Sequence, residues 1–515
     1  MALMRFRPEG YRGNGDGIVS GATGVLMAEA ISPGMRSVNA LPESEVVCLW
    51  QRRVQTGEVL VTVHGEPVKV LYPGRMNDGH GADFRDAVVV IGGRMLRGDI
   101  EIHVHASDWQ AHGHHRDAVY DRVVLHVVMR HNGRTVTRLS SGRSVPVVAL
   151  DLCAGADTGP AGGCMACSGI ARTGSKDRLG DFLDIAGEAR FLARAGGFHE
   201  DMEQMGAGQS LYRGVMGALG YSRNTLPFLE LAERVSLDEL ETAARRTATE
   251  EECLARLQSR LLGMAGLLPL LHRSYQRRDS LDDAGLAWPD TGVAGLEELW
   301  CSSGSGKVMS PDAWHLFRVR PNNSPVRRLM AMSHLVCRYR EKGLLEGLLG
   351  SLVEGCFDGG KHRRLEEGLV VGAGGYRGNR TRGPTLLGRR RAADIVVNVL
   401  LPFSFAWGRS TGRPDMAAGV LDIYHRYPGL AANALERHMK AQFGVEDGLV
   451  DSARRQQGLL HIYKTRCTQG RCPDCELERV TRSAGGEKTA PLQDSLRLGT
   501  ISRSRPSVLP ARSWK

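Results

Sequence analysis

The chain has 515 residues and a formal net charge of +10, with 42% hydrophobic and 24% charged residues. That length suits two or three domains, and the composition is that of a soluble globular protein. Aromatic residues make up only 6%, which argues against a stacking platform for single-stranded nucleic acid. No apolar run reaches the roughly 18 residues of a membrane-spanning helix. The 11 cysteines are scattered over the long chain, so a reducing, cytoplasmic location is expected rather than a disulfide framework.

Residues 1–40 read as a flexible Gly-rich leader carrying Arg5, Arg7 and Arg12, without the apolar core of a secretory signal. An amphipathic helix follows over Glu43–Val54. The hydrophobic period then shortens to two. Val59–Val63 and Pro67–Leu71 flank His64-Gly65-Glu66 as a hairpin. Ala87–Ile91 and Gly98–His105 flank Gly92-Gly93 as another. Further strands are expected at Arg122–Met129 and Val145–Leu150. Residues 41–150 are thus expected to form an α/β domain on a mostly antiparallel sheet, and 151–178 a Cys- and Gly-rich linker. Residues 179–478 carry helical periodicity, including Val326–Lys342, Leu344–Phe357, Ala392–Phe405, Asp451–Lys464, and a pair within Asp415–Gln442 broken at Pro428-Gly429. Residues 479–515 read as a basic disordered tail. The expected class is α+β.

Chemistry concentrates between Pro73 and His131. Along Gly98–His105, alternation sends Ile100, Ile102 and Val104 to one face, and Asp99, Glu101, His103 and His105 to the other. Asp83 stands just before the neighbouring strand. Strands lie about 4.8 Å apart, so the Asp83 and Glu101 carboxylates can converge on one divalent cation, Mg²⁺ or Mn²⁺ by their hardness. Asp86 competes for the role of Asp83. Eight of the 17 histidines fall within residues 80–131; with Asp108 and Tyr120, His112, His114 and His126 are expected to line the pocket. Imidazoles in such number suit Zn²⁺ or Mn²⁺, a proton relay or a phosphate. They equally suit a polar network that ties loop to sheet.

The order of acidic helix, Gly81-Ala-Asp-Phe84 and Glu101-Ile-His103 partly resembles the PD-(D/E)xK phosphodiesterase superfamily, many of whose members are nucleases. That resemblance implies a restriction-endonuclease-like domain in which Asp83 and Glu101 hold the metal, Glu45 assists from the first helix, and His103 orients water. Ala82 replaces the superfamily's proline and His103 its lysine, so a permanent positive charge is missing there.

A longer set of motifs resembles the bacterial domain-of-unknown-function family 2851. They are Pro73-Gly-Arg-Met-Asn77, Gly81-Ala-Asp-Phe84, Gly98–His103, Ser107-Asp-Trp109, His112-Gly-His114 and Leu125-His-Val-Val128. The likeness continues through Leu211-Tyr-Arg-Gly214, Ala218–Asn224, Arg320–Asn323, Pro325–Arg328 and Asn398–Pro402 to the neighbourhood of Cys475. It implies no particular activity.

Cys467, Cys472 and Cys475 form a compact thiolate group at spacing fit for structural Zn²⁺ or an iron–sulfur cluster. It lacks one ligand, with Cys48, Cys153 and His461 as candidates. A second group is Cys153, Cys164 and Cys167. The functional expectation is a metal-dependent phosphodiesterase acting on nucleic acid. Its rivals are a non-catalytic nucleic-acid-binding or scaffold protein on a degenerate nuclease-like fold, and a Zn- or Mn-dependent hydrolase of a small substrate.

Overall fold

The computed structural model describes residues 42–477, apart from 59, 78–80, 133–136, 152–166, 168–169, 174, 222, 273–291, 304–305, 317–322, 354–360, 373–384, 446–447, 473–474 and 476. The expected leader, the basic tail, most of the linker, His80, Cys153 and Cys164 lie outside the described residues.

The first helix, α1 (Glu43–Thr56), carries Glu43 and Glu45 in its opening turn, where carboxylates favour the helix dipole, and ends at the left-handed Gly57. Val46, Trp50 and Val54 share one stripe and are buried. They pack against the sheet together with Phe84, Ala87, Val89, Ile100, Ile102 and Val104.

Seven strands make that sheet: β1 (Leu60–Val61), β2 (Pro67–Tyr72), β3 (Arg75–Met76), β4 (Phe84–Ile91), β5 (Arg94–His105), β6 (Val123–Arg130) and β7 (Val147–Ala149). The path runs β1-β2-β4-β5-β6-β7, with β3 on β4. Pairing from β1 through β5 is antiparallel. The β5–β6 and β6–β7 pairs are parallel, so the sheet is mixed rather than mostly antiparallel throughout. A parallel pair needs a crossover. Residues 106–122 supply it with α2 (Asp108–Ala111) and two 3₁₀ turns, His114–Arg116 and Ala118–Tyr120. The ends of the path also meet: Thr62 bridges Val148, and Val63 N–H donates to Val147 O at 2.8 Å. Close approach of β5 to β6 requires Gly98, where a Cβ would stand 2.2 Å from Arg122 O.

The remainder of the described chain is mainly helical. The long helix Lys176–Met205 lies along the helix Ala453–Thr465. The expected pair within 415–442 is observed as Pro414–His425 and Ala434–Phe443. The helix expected at Ala392–Phe405 runs from Arg389 to Ser410, with a wider turn at Val396–Leu400. Pro402 explains that turn, since it has no N–H for the carbonyl four residues earlier. That carbonyl, Asn398 O, instead accepts from Arg194 Nη1 at 2.9 Å. Arg327 and Arg328 brace the loop at Thr385 and Leu386 by donating to its carbonyls. Among the described residues, no helix is long and apolar enough to cross a membrane.

Tyr72 and Val88 of the sheet join Leu179, Leu183, Leu459, Ile462 and Tyr463 of these helices in one apolar cluster. The helical region thus docks on the sheet face opposite α1. Glu101 and His103 project from that same face, beyond the docked helices.

Candidate metal centre

Strand alternation buries both faces of β5. Asp99, Glu101 and His103 are 5%, 6% and 1% exposed, although a polar strand face is ordinarily solvated. The cover comes from the crossover. Trp109 of α2 is buried and anchored by its indole N–H on Arg138 O at 2.9 Å. It stands edge-on to His103. Tyr120 is buried and lies against the His114 ring, centroid to centroid 3.9 Å.

Beneath this cover the carboxylates interlock. Asp83 N–H donates to Glu101 Oε2 at 3.0 Å, and Ile102 N–H donates to Asp83 Oδ2 at 2.8 Å. Burial raises the Asp83 carboxyl first, the neighbouring Glu101 raises it further, and the Ile102 hydrogen bond only partly opposes them, leaving it at about 7. Two acids so placed call for a proton or a cation between them.

The histidines supply the rest of the cage. His103 Nε2 lies 3.2 Å from His112 Nδ1 and 3.6 Å from Glu101 Oε1. His114 Nε2 lies 3.2 Å from the same Glu101 oxygen. The ligand nitrogens of His103, His112 and His114 all fall within 4.8 Å of one another. A tetrahedron of ligands around Zn²⁺ at about 2.1 Å has edges of about 3.4 Å. Three measured separations bracket that edge. His112 is exposed and His114 half-buried, so the group opens to solvent on the loop side.

Behind His103 runs a second line. Its Nδ1 faces His126 Nε2 at 2.9 Å, and His126 Nδ1 faces Thr137 Oγ1 at 2.8 Å. Burial, reinforced by neighbouring imidazoles, depresses His103 to about 2 and His126 to about 3. Both rings are therefore neutral at physiological pH. Neutral imidazole is the ligand form, and a hydrogen bond on the far nitrogen fixes which nitrogen faces the metal.

The structure thus brings together Asp83, Glu101, His103, His112, His114, His126 and Tyr120. It places three expected residues elsewhere. Asp86 is the one non-glycine residue with positive φ (61°) among those described, at the irregularity in β4–β5 pairing. Its carboxylate accepts from Arg122 Nη2 at 3.0 Å and from the Tyr463 hydroxyl at 2.8 Å, so it ties sheet to helical region. Asp108 accepts from His105 N–H at 2.9 Å and holds the start of α2. Glu45 is exposed on α1. The first-helix carboxyl that senses the centre is Glu43, raised by partial burial and also influenced by His112, Glu101, Asp108 and His114. Helix phase carries the signal for it, because Glu43 falls on the Val46–Trp50–Val54 stripe and Glu45 does not. Thr137 was not anticipated, and no local pattern marks it.

A basic group lies on the helices that dock on this same sheet face. Burial depresses His461 and Lys464 of Ala453–Thr465, Lys464 to about 8, and repulsion adds to it, from Arg190 and Arg466 on His461 and from Arg190 and Arg194 on Lys464. Asp86 is the carboxylate that pulls Lys464 the other way.

A mixed sheet that meets at its ends, a mainly helical second region and an imidazole–carboxylate nest together describe an α/β protein with a metal-ligand constellation. The chain belongs to the family of proteins of unknown function DUF2851, whose model matches residues 43–430. The match contains the whole constellation and stops before Cys467. No curated protein and no solved structure matches the chain, so the restriction-endonuclease-like form expected from the partial PD-(D/E)xK resemblance has no support from these comparisons.

Proposed function

We propose that the protein is a divalent-metal-dependent hydrolase of phosphodiesters, with nucleic acid as the substrate class. One observation carries the reading: the ligand nitrogens of His103, His112 and His114 all lie within 4.8 Å of one another, with Glu101 Oε1 3.6 Å from His103 and 3.2 Å from His114 and a second carboxyl, Asp83, beside it. Three imidazoles with a carboxylate favour Zn²⁺ or Mn²⁺ over Mg²⁺, which prefers oxygen. An ion held there supplies Lewis acidity and a water of lowered pKa. The chain's own residues do the remainder. His126 and Thr137 hold His103 in one orientation, and Asp83 is placed to take a proton. Tyr120 and Trp109 keep bulk water from the buried side. The phosphodiester assignment is supported by the net charge of +10.

The test is cleavage of single- and double-stranded oligonucleotides and of bis(4-nitrophenyl) phosphate by chelator-stripped protein given Mn²⁺, Zn²⁺ or Mg²⁺. Cleavage with Mn²⁺ or Zn²⁺ that falls at least about 100-fold in Glu101→Gln is expected. No cleavage with any of the three, or equal cleavage by the variant, rejects the activity. Salt-sensitive nucleic-acid binding without cleavage would instead favour the non-catalytic scaffold.

A further inference from the structure

A second group of metal-ligand side chains lies away from the histidines, at the seam between sheet and helices. Ala453–Thr465 ends where Arg466 N–H donates to Ile462 O at 2.8 Å, and the chain enters a one-turn helix, Cys467–Gln469. Gly470, at φ 64°, closes that turn by donating to Cys467 O at 3.0 Å, and Arg471 N–H folds back on Arg466 O at 3.0 Å. Cys475 N–H then donates to Cys472 O at 3.0 Å. Two successive tight turns thus keep Cys467, Cys472 and Cys475 within one short spot, although among the described residues no three cysteine sulfurs lie within 4.8 Å of one another. The spot touches the sheet. Cys472 Sγ lies 3.8 Å from Leu71 O, a Cβ on Gly470 would contact Val88 and Leu71, and Arg97 donates to Gln469 O at 3.3 Å.

The fourth thiol arrives from the other end of the helical region. Cys167 precedes the helical turn Ile170–Thr173, and Ile170 N–H donates to Cys167 O at 3.2 Å. Gln442 Nε2 donates to the Cys167 sulfur at 3.2 Å. Cys467 belongs to the apolar cluster that joins sheet and helices, and Cys167 and Cys475 pack against it. Burial raises the Cys167, Cys467 and Cys472 thiols, Cys167 to about 11, and the nearby sulfurs add to the rise. Cys467 feels Cys167, Cys472 and Cys475 together. Of the other candidates for a fourth ligand, Cys48 is exposed on α1, His461 faces Arg190 and Arg466, and Cys153 lies outside the described residues.

We propose that Cys167, Cys467, Cys472 and Cys475 form a thiolate-ligated metal centre that fastens the helix Ala453–Thr465 to the β2–β4 side of the sheet. Sulfur-only ligands select a soft or borderline ion. No three of these sulfurs lie within 4.8 Å of one another, a spacing wider than the about 3.8 Å edge of a ZnS₄ tetrahedron, so it suits an iron–sulfur cluster. Binding a cluster built from iron and sulfide takes up four thiolates and releases the four thiol protons to solvent. Such a clip closes a loop that spans most of the helical region, so its loss frees that helix rather than the sheet's own core. The proposal does not depend on the histidine centre or its activity.

The experiment uses the full chain, purified anaerobically without chelator. Metal and acid-labile sulfide are measured alongside the visible spectrum, for wild type, the double variant His112→Ala/His114→Ala, and that variant with Cys167→Ser, Cys472→Ser or Cys48→Ser added. About one zinc per chain without colour, or iron with matching sulfide and a visible band, supports the centre and identifies its metal. With the histidine centre removed by His112→Ala/His114→Ala, the metal should persist, then drop to near zero when Cys167→Ser or Cys472→Ser is added, and stay when Cys48→Ser is added instead. If the serine variants do not fold, mercurial titration of wild type decides in their place, because metal release should track modification of about four thiols. Folded wild type free of thiolate-bound metal, or undiminished content when Cys167→Ser is added to the histidine variant, overturns the proposal.

Discussion

Replacing Asp83 with Asn tests whether the carboxylate pair is a cation site. In metal-free protein the Asp83 carboxyl is displaced from 3.8 to about 7, about 3 pKa units, or ~4 kcal/mol if fully expressed. Asp83 is only half-buried, and solvent screening reduces this to about 2 kcal/mol. A carboxyl raised in the folded state favours folding below its unfolded pKa, near 4, and that contribution is lost as pH climbs towards 7. His103 and His126, depressed in the folded state, act oppositely: their contribution is present above about 6.5 and lost as pH falls. Comparing variant with wild type cancels the histidines. Asn retains an oxygen for the Ile102 N–H, so Asp83→Asn with chelator should melt about 4 °C higher than wild type near pH 8, by less than half of that near pH 5, and equally only below about pH 4. Added Mn²⁺ or Zn²⁺ should raise the wild-type midpoint more than the variant's. Thermal unfolding at the two pH values, with and without metal, is the assay. A variant destabilised equally at both, with an undiminished response to metal, refutes the reasoning.

Two further outcomes concern the scaffold. Arg194→Leu leaves the Asn398 carbonyl without the donor that replaces the missing Pro402 N–H; a loss of about 1–3 kcal/mol is expected by denaturant titration. Adding Pro402→Ala restores a backbone donor, so the double variant should recover part of that loss; strictly additive effects would contradict the pairing. Gly98→Ala sets a Cβ 2.2 Å from Arg122 O, between β5 and β6. It should cost at least about 2 kcal/mol and lower metal affinity, because Asp99 and Glu101 follow directly. A fully stable, metal-competent Gly98→Ala would mean that the strands have room.

What the sequence disclosed follows the range of the physics involved. The period-two run Gly98–His105 fixed both faces of β5, and the apolar stripe of α1 fixed its buried side, since these patterns are local. The parallel pairing of β5 with β6 was not legible, because a crossover built from one short helix and two 3₁₀ turns has no distinctive period. Nor did the polar face of β5 announce its burial, which depends on Trp109 and Tyr120 folding back over it. Asp83, Glu101 and the histidines were recognisable by type and density. Their partner Thr137 was not, nor was Cys167 as companion of Cys467, because each contact joins segments that no spacing rule connects. Asp86 competes with Asp83 by sequence alone; what separates them is an irregular turn of β4, where its positive φ swings it to Arg122 and Tyr463.

The most direct measurement is Co²⁺ titration of stripped protein whose thiols have been blocked, followed by optical absorption and calorimetry. One equivalent should bind with the intense visible bands of a four-coordinate site, and His112→Ala/His114→Ala or Glu101→Gln should lose it. Equal binding by those variants, or none by the wild type, would contradict the metal centre on which the proposed activity stands.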